Sequence, residues 1–323
     1  MLAKEIKPFF QENSPLSISI FRCTRQIPHY HSDVFELILC LKGQFEVRCM
    51  HEQHVLHPGD ILQADMFDIH TISAVDSEEP DNLVVSFHID LNHPLFANDG
   101  YKHLFYVCSS DNSSPSQKKK INHIRLLLLT ILDSYLHNRL TDQIPLMTNE
   151  ILQIMRNYFQ YFDHINGSGE MFTKEMKQRF ENIMSYMLAH YDERVTMRDI
   201  CDAEHISYNY LSRFFKDSSL KTFRAFLHEI RVYHSEHLLL CHPELSVSDI
   251  SYRIGFSDPR LFYREFRKKY GHTPHQHRIC YRKYNEHAVD DTILDVENHL
   301  NEIDSCNAEL FAQTAYLIVR ENW

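Results

Sequence analysis

The chain has 323 residues, 43% of them apolar, which is enough for two domains with hydrophobic cores. Its seven glycines argue against glycine-rich phosphate loops, its eight cysteines include no Cys-x-x-Cys pair, and its longest apolar run is too short to span a bilayer. The net charge of −11 disfavours a nucleic-acid partner for the chain as a whole, and we expect a cytoplasmic protein with free thiols and no membrane partner.

The charge is unevenly distributed along the chain. Residues 1–169 have a net charge of −7 and residues 284–323 of −8, whereas residues 170–283 carry 19 basic and 15 acidic side chains, a net charge of +4. A basic segment between two acidic ones is compatible with a nucleic-acid surface and also with ordinary surface chemistry. Charge alone does not distinguish these alternatives.

Residues 1–108 contain several short segments typical of strands. SISIF, FELILC, QFEVRC, DILQA and LVVSFHI are rich in β-branched or aromatic residues, and LKGQ, HPGD and EEPDN between them are typical of turns. In FEVRC, the apolar Phe45, Val47 and Cys49 alternate with Glu46 and Arg48, which predicts a strand with one wet face. Many short strands with turn signals predict a sandwich or a small barrel.

Two histidines one residue apart lie at the start of this region. His29 and His31 point the same way if they lie on a strand, and Glu36 follows five residues after His31. Two imidazoles and a carboxylate on one wall could hold a metal ion or line a pocket.

Helical spacing begins after residue 108. Residues 109–120 are polar and predict either a linker or a direct lead into a helix, and two amphipathic helices follow at about 121–140 and 146–163. Their apolar residues either form an internal hairpin or face a second subunit, and we expect Ile124, Leu128 and Ile131 to form a dimer interface. NGSG at 166–169 marks the domain boundary.

Two helical segments, 195–218 and 245–271, share one pattern. Each predicts a short helix, a turn and a longer helix that begins at a capping residue, Ser207 in the first and Ser257 or Asp258 in the second. The turns place His205 and Gly255 where a left-handed backbone is needed. The apolar positions correspond pairwise: Ile200 with Ile250, Ile206 with Phe256, Leu211 with Phe262, and Phe215 with Phe266.

The longer helix of such a unit fits the DNA major groove with its amino-terminal turns at base edges. We expect Arg213 and Arg264 to contact bases, and Lys216, Arg267 and Lys268 to contact phosphates. A polar solvated face would explain one such helix, but two helices about 50 residues apart favour double-stranded DNA. The residues expected to face DNA are Tyr208, Asn209, Ser212, Arg213, Lys216, Arg260, Tyr263, Arg264, Arg267 and Lys268.

Residues 175–280 resemble the AraC/XylS family of bacterial transcription regulators. The first recognition helix matches the family pattern at Ser207, Tyr210, Leu211, Arg213, Phe215 and Lys216. The linking helix matches it at Leu227, Arg231 and Leu238 to Leu240. The second unit matches it at Ile250, Gly255, Phe256, Phe262, Phe266, Gly271, Thr273, Pro274 and Arg278. Leu220 departs from the family's glycine, and Arg260–Leu261 departs from its usual Ser-Tyr, which changes the side chains that face bases. The resemblance implies a DNA-binding transcription regulator, with RNA polymerase as a further partner.

The amino-terminal half resembles a cupin. His29, His31, Glu36 and Gly43 are similar to the first cupin motif, and Pro58-Gly59-Asp60 with His70 is similar to the second. The resemblance implies a sensor barrel in which His29, His31, Glu36 and His70 bind a small-molecule effector. A divalent metal ion at these four residues and plain barrel packing stay open as alternatives, although we expect no cofactor. A metal-dependent cupin enzyme with an appended DNA-binding module is the alternative function; we expect no catalytic residues and no enzyme.

The expected fold is α+β with two domains: a cupin-like β-barrel followed by helices, then an all-α double helix-turn-helix domain. Residues 1–108 form the effector-sensing barrel, 109–166 the linker and dimerisation helices of a homodimer, and 170–283 the DNA-binding domain. Residues 284–323 predict an acidic helical tail, because its apolar residues recur at helical spacing. This tail either docks on the basic DNA-binding domain or is a passive packing helix.

Overall fold

A computed structural model of the chain describes residues 3–10, 14–21, 26–49, 52–75, 82–96, 107–109, 115–137, 143–159, 174–219 and 222–284. These residues form two compact units, one within residues 4–159 and the other within residues 174–284. The predicted boundary at 166–169 and the predicted acidic tail beyond residue 284 lie outside the described residues.

Nine strands of the first unit form two sheets. A five-stranded sheet has the order β1-β3-β8-β5-β6, and a four-stranded sheet has the order β2-β9-β4-β7. The bounds are β1 Lys4–Glu5, β2 Leu16–Phe21, β3 His29–Tyr30, β4 Val34–Lys42, β5 Phe45–Cys49, β6 Glu52–Leu56, β7 Ile61–Ala64, β8 His70–Ala74 and β9 Leu83–Asp90.

The four-stranded sheet is covered on both faces. In β4, Ile38 and Cys40 pack with residues of the five-stranded sheet, whereas Leu37 and Leu39 join a second core on the other face. A strand buried on both faces must be apolar at nearly every position, which explains the continuous run in FELILC. Glu36 is the charged residue within this run, and the residue is 1% exposed.

Two helices, α1 (Pro115–Leu136) and α2 (Ile144–Tyr158), cover that second face. Ile124, Leu128 and Ile131 are fully buried there, in one core with β2, β4 and β9. The expectation that these three residues face a partner subunit is therefore wrong, because the sheet of their own chain already covers them.

Helix α1 begins at Pro115, inside the polar stretch 109–120, in agreement with the second of the two alternatives for that stretch, a direct lead into a helix. Proline favours the first turn of a helix. Arg125, 8% exposed, donates from Nε to the carbonyl oxygen of Gly59 and from Nη1 to Oδ1 of Asn122 (3.0 Å). This buried guanidinium attaches the helix to the turn between β6 and β7. Helices α1 and α2 thus belong to the same compact unit as the strands.

Every secondary-structure element described in the second unit is a helix. Its helices are α3 Lys174–Ala189, α4 Met197–Glu204, α5 Tyr208–Ser219, α6 Phe223–Cys241, α7 Val247–Arg253, α8 Pro259–Tyr270 and α9 Pro274–Tyr284. One core joins α3, α4, α5 and the first half of α6, and another joins the rest of α6 to α7 and α8. The predicted fold class, a two-sheet cupin unit followed by an all-helical unit, is confirmed. Within the described ranges, no helix is long and apolar enough to cross a membrane.

Candidate functional site

Four side chains predicted to act together meet inside the first unit. His29 on β3 lies opposite His70 on β8, and Glu36 projects from β4 of the other sheet. His31, just after β3, completes the group. All four are at most 4% exposed, and one ligand atom from each lies within 4.8 Å of the others. The sequence therefore identified a cluster that the two sheets bring together.

Glu36 is the centre of this cluster. Its Oε2 atom lies 2.8 Å from Nε2 of His70 and 3.2 Å from Nε2 of His31. The contact with His31 has hydrogen-bond geometry if Nε2 carries a proton, whereas the contact with His70 is a close approach that lacks hydrogen-bond alignment.

Backbone carbonyl oxygens hold the other nitrogen of each imidazole. Nδ1 lies 3.0 Å from the Ile27 oxygen in His29, 2.6 Å from the Ile6 oxygen in His31, and 2.9 Å from the Asp68 oxygen in His70. A carbonyl oxygen only accepts, so each Nδ1 carries a proton, and a ring that is otherwise neutral presents a lone pair at Nε2. When all three rings are neutral, three lone pairs and a carboxylate converge, and either a proton or a metal ion between them would stabilise the cluster.

Burial and charge shift the pKa values of these groups in different directions. Burial lowers the pKa of His29 well below its usual value, and His70 lowers it further. Burial opposes ionisation of Glu36, but His70 and His31 outweigh it and hold the pKa of the carboxyl well below its usual range. Burial likewise disfavours the charged form of His70, but Glu36 raises its pKa overall. In the folded unit, Glu36 is therefore the anion and His70 the preferred site of a neutralising proton.

A fifth residue, His88, was missed by the sequence analysis. It lies on β9 directly opposite Glu36, with Nε2 3.9 Å from Glu36 Oε2, and its ring centroid is 4.8 Å from that of His31. Burial lowers the pKa of His88 to about 4. A histidine within the apolar run LVVSFHI was a signal, but only the strand register places it beside Glu36.

This arrangement fits a divalent metal ion. Three imidazole nitrogens and a carboxylate oxygen are a donor set that Mn²⁺, Fe²⁺, Ni²⁺ and Zn²⁺ all accept. The carbonyl oxygens on the three Nδ1 atoms fix the ring orientations, as outer contacts of metal ligands commonly do. Such an ion would act as a Lewis acid and would neutralise Glu36.

The helical unit contains the two predicted helix-turn-helix pairs, α4–α5 and α7–α8. Both short helices begin at a capping box, Thr196 with Asp199 and Ser246 with Asp249. Ser207 Oγ accepts from the backbone N–H of Tyr210 at the start of α5 (3.2 Å), and Asp258 is the N-cap of α8. These local hydrogen bonds fix where each recognition helix begins.

The two turns have the left-handed backbone that the sequence predicted. His205 has φ 52° and Gly255 has φ 85°. The apolar partners Leu211 and Phe215 in α5, and Phe262 and Phe266 in α8, are all buried beneath the recognition helices.

The opposite faces of α5 and α8 lie in solvent. Nine of the ten residues predicted to face DNA are exposed, namely Tyr208, Asn209, Ser212 and Arg213 on α5 and Arg260, Tyr263, Arg264, Arg267 and Lys268 on α8. The side chain of Lys216 lies outside the described part of the chain. Exposed arginines over a rigid apolar base are what a helix needs to enter the major groove.

Two family models match the chain. A model described as a helix-turn-helix domain matches residues 200–279, and a model described as a cupin domain matches residues 24–87. These ranges coincide with the two recognition units and with most of the strands of the two sheets.

Two bacterial proteins are similar to the chain across both units. The uncharacterized HTH-type transcriptional regulator YdeC of Bacillus subtilis is 26% identical over 269 residues, which cover 80% of this chain and 86% of YdeC. The Msm operon regulatory protein of Streptococcus mutans is 25% identical over 254 residues, 76% of this chain and 83% of that protein. A solved transcriptional regulator with an AraC-type DNA-binding domain from Chromobacterium violaceum is 23% identical, with a TM-score of 0.31, over 33% of this chain and 95% of that one.

Proposed function

We propose that this chain, which belongs to the AraC-type transcriptional regulators, recognises a specific DNA sequence through both α5 and α8. The observation that supports this proposal is the repetition of one capped unit with its polar helix face in solvent. Two such faces on one chain can contact two successive turns of the major groove. The basic side chains would bind phosphates, and Arg213, Arg260 and Arg264 would contact bases.

The change Arg213→Ala tests base contact by α5. We expect it to weaken binding to the selected site by about 1–3 kcal/mol and to relax the preference at one or two base pairs. Lys268→Ala is the matched variant, because it removes an exposed cation that is expected to contact phosphate. It should weaken binding to all DNA alike and reduce the salt slope by about one unit. Selection from random DNA and titration at several salt concentrations measure both, and an unchanged base preference in Arg213→Ala would contradict the assignment.

For the first unit we propose a regulatory role, in which a small-molecule effector bound at His29, His31, Glu36 and His70 changes DNA binding. His88 belongs to the same site. A divalent metal ion is the second candidate for the bound species, and the convergence of Nε2 lone pairs on Glu36 favours it. The four side chains already contact one another, so an organic effector would have to separate them.

Metal analysis distinguishes the two candidates. If the metal candidate is right, protein purified without added metal should hold about one equivalent of a divalent ion, and His29→Ala should bind it more weakly, because the substitution removes one of four ligands. His57→Ala is the control, since that side chain is 57% exposed and outside the cluster. Bound metal should decrease as the pH falls, because protons compete for the Nε2 lone pairs.

The absence of any divalent ion at neutral pH, with Mn²⁺, Fe²⁺, Ni²⁺ and Zn²⁺ supplied, would contradict the metal candidate. Binding of an organic compound that is lost in His29→Ala would then support the effector pocket. Either result leaves DNA binding by the helical unit to be judged separately.

We propose that the cluster binds and does not catalyse. The relatives reported above are named as regulators, and four ligands that are at most 4% exposed present little surface to a substrate. A homodimer, contact with RNA polymerase and action in the cytoplasm belong to the same proposal. The dimer must use a surface other than Ile124, Leu128 and Ile131.

A further inference from the structure

The start of helix α8 differs from the pattern that the sequence resembles. Arg260–Leu261 stands where a Ser-Tyr pair is usual, and Asp258 precedes it as the N-cap. Asp258 Oδ1 accepts a hydrogen bond from the backbone N–H of Arg260 (2.9 Å), which is the usual role of an N-cap side chain. The side chain of Arg260 is 92% exposed at the amino-terminal turn that would lie against base edges.

The same carboxylate also holds the guanidinium of Arg260. Nε of Arg260 lies 3.2 Å from Oδ1 and 3.1 Å from Oδ2 of Asp258, and Nη2 lies 2.9 Å from Oδ2. Through this contact, the guanidinium of Arg260 lowers the pKa of the Asp258 carboxyl, and the carboxylate raises the pKa of the guanidinium. One aspartate therefore fixes both where α8 begins and how its first arginine is oriented.

The donors that Asp258 leaves available define what Arg260 can bind. A guanidinium has five N–H donors in a planar fork, and the carboxylate uses its Nε and Nη2 edge. The hydrogens of Nη1 and the remaining hydrogen of Nη2 point away from Asp258. That outer edge matches the O6 and N7 acceptors of guanine, which arginine contacts in a bidentate manner in the major groove.

We propose that Asp258 is a positioning residue that aims Arg260 at a guanine of the operator. The inference rests on the proposed function of α8 and adds the base and the residue that selects it. Ordering a long side chain on binding reduces affinity by roughly 2- to 12-fold. Asp258 reduces this loss of affinity when Arg260 binds guanine, because it already holds the guanidinium in one orientation before DNA binds.

Arg264 offers an internal comparison on the same helix. Its Nε and Nη2 lie 3.1 and 2.8 Å from a single oxygen, Oε1 of Glu265. Arg260 instead contacts both oxygens of a carboxylate that is itself fixed by the helix cap. Of these two arginines, the orientation of Arg260 is therefore the more constrained.

Selection from random DNA with the full chain tests the inference. The wild-type protein should prefer guanine at one position of its site, and Arg260→Ala should lose roughly tenfold of this preference. Asp258→Ser should lose roughly 2- to 12-fold, because serine keeps the cap but is too short to reach the guanidinium. Its affinity for unrelated DNA should stay equal or rise, since one negative charge is removed. A misfolded helix would weaken binding both to the selected site and to unrelated DNA. A weaker guanine preference together with equal or tighter binding to unrelated DNA therefore identifies the positioning role.

Asp202→Asn is the matched control, because Asp202 is an exposed carboxylate on α4 of the same compact unit. It should change affinity for unrelated DNA as Asp258→Ser does and keep the guanine preference. An unchanged preference in Asp258→Ser, when Arg260→Ala loses it, would overturn the inference and leave the proposed function intact. An unchanged preference in Arg260→Ala would also overturn it. Failure of the wild-type protein to select any sequence would remove the proposed function and this inference together.

Discussion

Leu128→Asp is expected to unfold the cupin unit, and Leu128→Ala to lower its free energy of unfolding by about 2–5 kcal/mol. Leu128 is fully buried between α1, α2 and the four-stranded sheet, in one core with Leu37 and Phe87. Leu128→Ala leaves a cavity in this core. Leu128→Asp places a carboxylate in an apolar core away from water, which strongly disfavours its charged form. Urea unfolding followed by circular dichroism measures the effect.

Leu146 on α2 provides the matched control, because its side chain is 69% exposed. Leu146→Ala should change the free energy of unfolding by less than about 0.5 kcal/mol. Sedimentation of both variants separates a core from an interface. If Leu128→Asp gave a folded monomer as stable as the wild-type unit, Leu128 would be an interface residue and the described packing would be wrong.

Gly255→Ala is expected to destabilise the helical unit by about 2–5 kcal/mol, whereas Gly271→Ala should cost only about 1–2 kcal/mol. Both glycines have positive φ, 85° and 77°. A Cβ atom at Gly255 would lie 2.8 Å from the carbonyl oxygens of Tyr191 and Asp192 and from Nη2 of Arg231, whereas nothing lies within 4 Å of one at Gly271. Comparison of the two variants thus separates the cost of crowding around the added Cβ atom from the cost of placing alanine in a left-handed backbone conformation.

The crowding matters because Arg231 connects the segment between α3 and α4 to the turn of the second helix-turn-helix pair. From the linking helix α6, its Nε donates to the Tyr191 oxygen and its Nη2 to the Glu193 oxygen, both at 2.7 Å, while its guanidinium lies 5.6 Å from the Phe256 ring centroid. Gly255→Ala must displace these contacts, so we expect DNA affinity to fall together with stability. Thermal melting and DNA titration of both variants measure this, and equal losses at the two glycines would contradict it.

The sequence by itself determined the helical unit almost completely. Caps at Ser207 and Asp258, positive φ at His205 and Gly255, and buried residues at seven of the eight aligned apolar positions all follow from contacts within a few residues, and the eighth position, Ile206, is half-buried. Signals of this kind depend on residues that are close together in the sequence, so the exposed faces of the recognition helices could be predicted. The same holds for His29, His31 and Glu36, which lie close together in the sequence, on β3, just after it and on β4.

Only the tertiary structure decided what covers each apolar face and what surrounds Glu36. The periodicity around Leu128 showed that one face of α1 is buried, but the same pattern serves a core and a subunit interface equally well. His88 stands 52 residues after Glu36 and became its neighbour through the antiparallel pairing of β4 with β9. Strand register is set by the packing of whole sheets, because a shift of one residue turns every side chain to the other face. No local pattern contains that information.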